Sequence, residues 1–236
     1  MIKQTPVYWL NRSFVLSLRQ VFFSVICLSA SLLLVACNGP ETVDKPASEL
    51  DVKIHVIDTD ENPSDGKIPV VMQYFFDGKY VKLLNNVAVT CNGVTLTDEG
   101  LGYAARVPQE PTGGTYTFQH SRNGVNTSVS VTVPQRPVFV APTVQGATIA
   151  RTNNLIIHYV PGTGKSVRGN ASDGTNSKNN NQDDDGTHEG MDVSGFTAGP
   201  GRLSITRNYE DPITGTGFNS VENKYSINKA IDITWQ

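Results

Sequence analysis

From Leu50 onward the chain alternates. Leu50, Val52, Ile54 and Val56 share one parity, and Asp51, Lys53, His55 and Ile57 share the other. A period of two over eight residues predicts a half-buried strand. Residues 58–67, rich in Asp, Asn, Pro and Gly, predict a loop, and residues 69–76 a second strand with Val70, Met72, Tyr74 and Phe76 on one face. Alternation sends Phe75 to the opposite face, where it is exposed unless something covers it. Asp77-Gly78, Asn92-Gly93 and Asn123-Gly124 each supply the positive φ angles of a two-residue hairpin turn. Between them lie short runs at 80–83, 87–91, 94–96, 103–107, 116–118 and 129–133. Short strands separated by turn signals every 8–12 residues or so predict a β-sandwich.

Pro134-Gln135-Arg136-Pro137 is a stiff break, read as a domain boundary. Beyond it, 144–149 and 155–160 open a second β unit, 167–171 and 191–196 are weaker strands, and Leu203/Ile205 and Tyr225/Ile227 mark better ones. Ile231, Ile233 and Trp235 alternate with Asp232 and Thr234, so the last strand buries Trp235. Gly, Asn, Thr, Ser and Val are plentiful and long helix-forming runs are absent, which fits an all-β chain.

The hairpin built from Gly114-Thr-Tyr-Thr-Phe118, Asn123-Gly124 and Ser128-Val-Ser-Val-Thr-Val133 resembles the last two strands of immunoglobulin-like and fibronectin type III domains. The resemblance implies two tandem immunoglobulin-like sandwiches, at 50–134 and 138–236. The second carries a polar Asn/Asp-rich loop at 173–190.

Ahead of these units, an uncharged apolar run at 21–36 follows Lys3, Arg12 and Arg19, the layout of an export signal. At sixteen residues, with Ser24, Ser29 and Ser31 inside, the run falls short of the ~20 that span a bilayer. It closes on Leu34-Val35-Ala36-Cys37, which resembles the lipobox of bacterial lipoproteins. That resemblance implies a cleaved signal peptide at 1–36, a diacylated Cys37 as mature N-terminus, and a flexible tether over 37–49. It places the chain on the cell envelope, with the membrane as its partner through the lipid on Cys37. Asn38, where inner-membrane lipoproteins of Gram-negative cells carry Asp, implies the outer membrane in such a cell. In a Gram-positive cell the anchor would sit on the extracytoplasmic face of the plasma membrane.

Removing 1–36 leaves 16 basic and 22 acidic residues, a net charge of −6, which argues against nucleic acid as partner. It also leaves one cysteine besides Cys37, so no intrachain disulfide is available and the core must carry stability alone. That cysteine, Cys91, shares the parity of Val87 and Val89 and reads as a small buried hydrophobe.

Candidate chemistry is sparse. Gly162-Thr-Gly164-Lys165-Ser166 mimics the end of a phosphate-binding loop, but Tyr159 stands where its first Gly belongs and no helix signal follows, so it reads as a glycine-rich connection. Asn181, Asp183, Asp185, Glu189 and Asp192 fall at positions one, three, five, nine and twelve of a loop with Gly186 at six. This resembles half of an EF-hand-like calcium loop, without flanking helices. A calcium site and a solvated polar loop both stay open there. The loop at 58–66 is a weaker candidate, because Pro63 breaks its spacing. His55, His120, His158 and His188 are scattered and read as structural or solvent-facing, and no nucleophile elbow is present. The expected function is a non-enzymatic envelope binding module with a protein or glycan partner. Calcium-dependent or glycan-binding adhesion is the alternative, and an envelope hydrolase a distant third.

Overall fold

The computed structural model describes residues 40–59, 63–84 and 86–236. The expected signal peptide, Cys37 and Asn38 lie outside the described residues, as do positions 60–62 of the first acidic loop. The first strands are β1 (Glu41–Val43), β2 (Asp51–Asp58), β3 (Lys67–Phe76), β4 (Lys79–Leu83), β5 (Val87–Cys91), β6 (Val94–Thr95), β7 (Thr97–Asp98), β8 (Tyr103–Pro108), β9 (Thr115–Arg122) and β10 (Val125–Thr132). There follow β11 (Thr148–Ile149), β12 (Leu155–His158), β13 (Ser166–Ser172), β14 (Ser177–Gln182), β15 (Thr187–Met191), β16 (Gly199–Pro212) and β17 (Ser220–Trp235). One turn of 3₁₀ helix at Ala47–Glu49 is the sole helical element among the described residues, so the protein is all-β as expected.

The first core forms where alternation is cleanest. β2, β3 and β8 pair antiparallel in one sheet, and β10, β9, β5 and β6 follow in that order in a second. Their inward rows meet: Val52, Ile54 and Val56 from β2, Val70, Met72 and Tyr74 from β3, and Cys91, Phe118, Val129 and Val131 from the facing sheet. Each such wholly buried apolar side chain contributes about 1.5–3 kcal/mol. This strand order is that of an immunoglobulin-like sandwich, and one of its hallmarks is present. At the start of β9 the Tyr116 hydroxyl accepts the Glu110 N–H at 2.7 Å, tying the preceding corner to the core. Asp77, Asn92 and Asn123 are the positive-φ residues other than glycine among the described residues, and each precedes a positive-φ Gly in a tight turn.

Beyond residue 134 the architecture departs from simple tandem units. β16 and β17 form one long antiparallel hairpin, paired from Gly199↔Trp235 to Pro212↔Glu222. The first half of β17 runs parallel to β2 and closes its open edge, and Phe218, Val221, Tyr225 and Ile227 complete the first core. The second half carries Ile231, Ile233 and Trp235 into a second core with Leu203 and Ile205 of β16, Val167 and Ala171 of β13, and Leu155 and Ile157 of β12. One sheet, β4-β3-β2-β17-β16-β13-β14, therefore serves both cores. A thin second layer, β12 with β15, covers the second.

Three local expectations are corrected. Ser177–Gln182, read as part of a polar loop at 173–190, is strand β14, paired with β13 from Val167↔Gln182 to Ser172↔Ser177. Its apolar alternation is missing because both its faces are solvated or polar. Only Thr148–Ile149 of the 144–149 segment is a strand. The expected strand at 191–196 is a turn, because β15 ends at Met191 and the Asp192 carboxylate accepts the Ser194 N–H at 3.0 Å.

Candidate functional site

The continuous sheet has one face on the two cores and one face open. Register fixes which residues share the open face. His55 of β2 pairs with Lys224 of β17, Lys224 with Glu210 of β16, Ser226 with Asn208, Asn208 with Ser166 of β13, and Arg168 with Asn181 of β14. Across these five strands the open face dips into a depression of about 260 Å³. Its lining includes His55, Ile57, Ser166, Asn181, Asn208, Glu210, Lys224 and Ser226.

The depression is hydrogen-bonding rather than strongly charged. The Ser226 hydroxyl donates to the Asn208 side-chain oxygen at 2.9 Å. Glu210 receives both Lys165 and Lys224, the latter at 3.2 Å, and their hydrogen bonds hold its carboxyl below the usual range. Lys224 is held protonated by the same pairing. Burial, then the neighbouring Lys224, pushes the His55 imidazole below its ordinary value, so the ring is neutral near pH 7. Its Nε2 is buried without a hydrogen-bond partner. The depression thus presents hydroxyl, amide, imidazole and charged donors and acceptors together. About 13 Å further along the strands, on the same face, Phe75 and Tyr80 meet edge to face at 6.0 Å with Lys53 above Phe75. The covering that Phe75 needed is thus partial.

Of the residues singled out as calcium ligands, only Asn181 lines the depression. The Asp183 carbonyl accepts the Tyr159 hydroxyl, the Asp185 carboxylate accepts the Thr187 N–H, and Glu189 bonds Gln182 through its backbone. Asp192 binds Ser194. The Asp185 and Asp192 carboxylates are thus spent on turn-making, and among the described residues no three of His, Cys, Asp and Glu gather as a metal centre.

Asp184, between Asp183 and Asp185, has no place in the calcium spacing, and it explains the phosphate-loop mimic. Asp184 and Arg207 form a buried ion pair at 2.6 Å, and Asp184 also accepts the Gly164 N–H at 2.9 Å. A Cβ on Gly162 would stand 2.4 Å from the Arg207 guanidinium carbon, and one on Gly164 2.5 Å from its Cγ. The two glycines are there to let the backbone pass over an arginine. His188 has a similar neighbour: its Nε2 accepts the Gly169 N–H at 2.9 Å, and a Cβ on Gly169 would strike its ring.

No protein-family profile and no curated protein matches this chain. Among solved structures, the three N-terminal domains of the bacteriophage RB49 Highly Immunogenic Outer Capsid protein (Hoc) align at 12% identity and a TM-score of 0.28, over 80% of this chain and 70% of that one. The FN1–FN3 domains of chicken CNTN1 align at 11% identity and a TM-score of 0.25, over 84% and 67%. The sandwich assignment rests on the strand order and the Tyr116 corner.

Proposed function

We propose that this chain is a non-enzymatic, lipid-anchored binding module of the bacterial envelope, and that its ligand is a polyhydroxylated glycan held on the open face of the long sheet. The observation that carries the reading is the depression in which five strands converge Asn181, Asn208, Ser166, Ser226 and a neutral His55 beside the Lys224–Glu210 pair. Amides, hydroxyls and a neutral imidazole present donors and acceptors in both senses, as sugar hydroxyls require. The Lys224–Glu210 pair adds directional, charge-assisted hydrogen bonds. The one remaining thiol, on Cys91, is buried and its ionisation is pushed up to about 12, which removes the obvious nucleophile.

The test is an array of bacterial and host polysaccharides probed with the wild-type chain and with Asn208→Ala and Lys224→Ala. Selective glycan binding lost in both variants supports the reading. Silence of the wild type across the array, together with unshifted amide resonances at His55, Asn208 and Ser226 in millimolar oligosaccharide, sinks it. The anchor is tested separately by mass spectrometry of the mature N-terminus. A diacylglycerol-bearing peptide beginning at Cys37, lost in Cys37→Ser, is expected. A mature chain beginning elsewhere would remove the lipid from the proposal.

A further inference from the structure

β10 is the one long strand whose outer edge is left bare among the described residues. It closes the sheet β10-β9-β5-β6, and its pairing is with β9 alone. The two-residue turn Asn123-Gly124 makes Arg122 and Val125 a hydrogen-bonded pair, so Val125, Thr127, Val129 and Val131 bond inward. Asn126, Ser128, Ser130 and Thr132 therefore direct their N–H and C=O groups away from the sheet, and their side chains lie on its exposed face. Other edges are blunted. β1 has three residues, β6 and β7 two each, and β14 carries Lys178. β10 runs eight residues, Val-Asn-Thr-Ser-Val-Ser-Val-Thr, with no charge and no proline. Natural edge strands use such devices to prevent pairing with another chain.

We propose that this edge docks a second copy of the same chain, β10 against β10, antiparallel about a two-fold axis at Val129. The strand is self-complementary in that register. Ser128 faces Ser130 of the partner copy and Asn126 faces Thr132, so four pairs exchange about eight backbone hydrogen bonds, two for each pair. No like charges oppose one another, and small hydroxyl and amide side chains meet on the outer face, where cross-strand Ser/Thr pairs are favourable. On the inner face Val129 meets Val129, extending each core row across the junction. The two four-stranded sheets become one of eight, with equal surfaces on both partners as two-fold symmetry requires. The sheet depression lies on other strands, so this pairing stands apart from the glycan reading.

Sedimentation equilibrium of the full chain in density-matched detergent, up to roughly 1 mM, tests the proposal. A concentration-dependent doubling of mass is expected, with slowed hydrogen exchange at the Ser128 and Ser130 amides in the dimer. Ser128→Lys with Ser130→Lys should give a monomer of unchanged melting temperature, because like charges then face each other twice. Ser128→Lys with Ser130→Glu should restore the dimer, because this register then sets Lys against Glu at both places. A wild-type chain that stays monomeric throughout overturns the proposal. So does a dimer that survives the double-lysine change, or one that the charge swap fails to restore.

Discussion

Removing Arg136 should cost this protein more than any surface charge, because of what the residue holds. Arg136 sits between the two prolines of the expected domain boundary. Its guanidinium donates to the Asp58 carboxylate at 2.5 Å and to the Asn228 carbonyl at 2.7 Å. Asp58, at the end of β2, is fully buried and also receives Gln109 at 2.7 Å and the Tyr225 hydroxyl at 3.4 Å. The cluster joins the linker, the first sandwich and β17 where the long hairpin passes from one core to the other. Truncation of one member of a buried pair leaves its partner's charge uncompensated, which costs about 3–5 kcal/mol. Arg136→Met should therefore lower the melting temperature by roughly 6–20 °C for a chain of this size. Asp58→Leu should do similar damage by stranding the guanidinium. The double variant should be far less damaged than the sum of the singles, because it removes both charges together. Urea unfolding of all four proteins gives the cycle. Single variants that each cost under about 1 kcal/mol and add in the double would show that the pair behaves as a solvated surface bridge, and the reasoning would fail.

Stability should also fall with acid in a window set by histidine. Burial lowers the folded-state values of His55, His120 and His188 below the unfolded 6.5, so the unfolded chain binds more protons as pH drops through that value. Their contribution is complete above about pH 6.5 and is lost below it, so urea midpoints should decline from pH 7 to pH 5, less steeply in His188→Gln; equal midpoints would refute this. Gly169→Ala should destabilise by about 1–3 kcal/mol, since its Cβ would sit 2.4 Å from a ring atom of His188, and a neutral outcome in thermal melts would show that the ring moves freely. The Cys91 thiol, wholly buried and pushed up to about 12, should resist an aqueous thiol reagent until unfolding, whereas fast native labelling would contradict its burial.

The first sandwich was legible because its rules are local. Period-two alternation marked β2 and β3, and three Asx-Gly pairs marked turns that the φ angles bear out. What escaped the sequence lies where one strand changes core. On β17 the inward parity runs Val221, Asn223, Tyr225, Ile227, Lys229, Ile231, Ile233, Trp235. Lys229 interrupts the apolar row, so the strand reads as two. On β16 the row Leu203, Ile205, Arg207, Tyr209 is interrupted by Arg207 in the same way. Ile205 pairs with Lys229 and Arg207 with Ile227, so the two interruptions fall at successive same-face pairs of the hairpin. A polar residue at a core parity normally signals the end of a strand. Here it signals a passage between two cores, and the partner that makes Arg207 tolerable, Asp184, is 23 positions away in the chain. The open face escaped for a related reason. His55, Asn208 and Asn181 each look like the solvent parity of an ordinary strand, and only the register of β2, β17, β16, β13 and β14 turns them into one surface. Period-two reading assigns a residue to a face, but it cannot assign that face to a neighbour in a non-consecutive strand order, and the candidate site exists only at that second level.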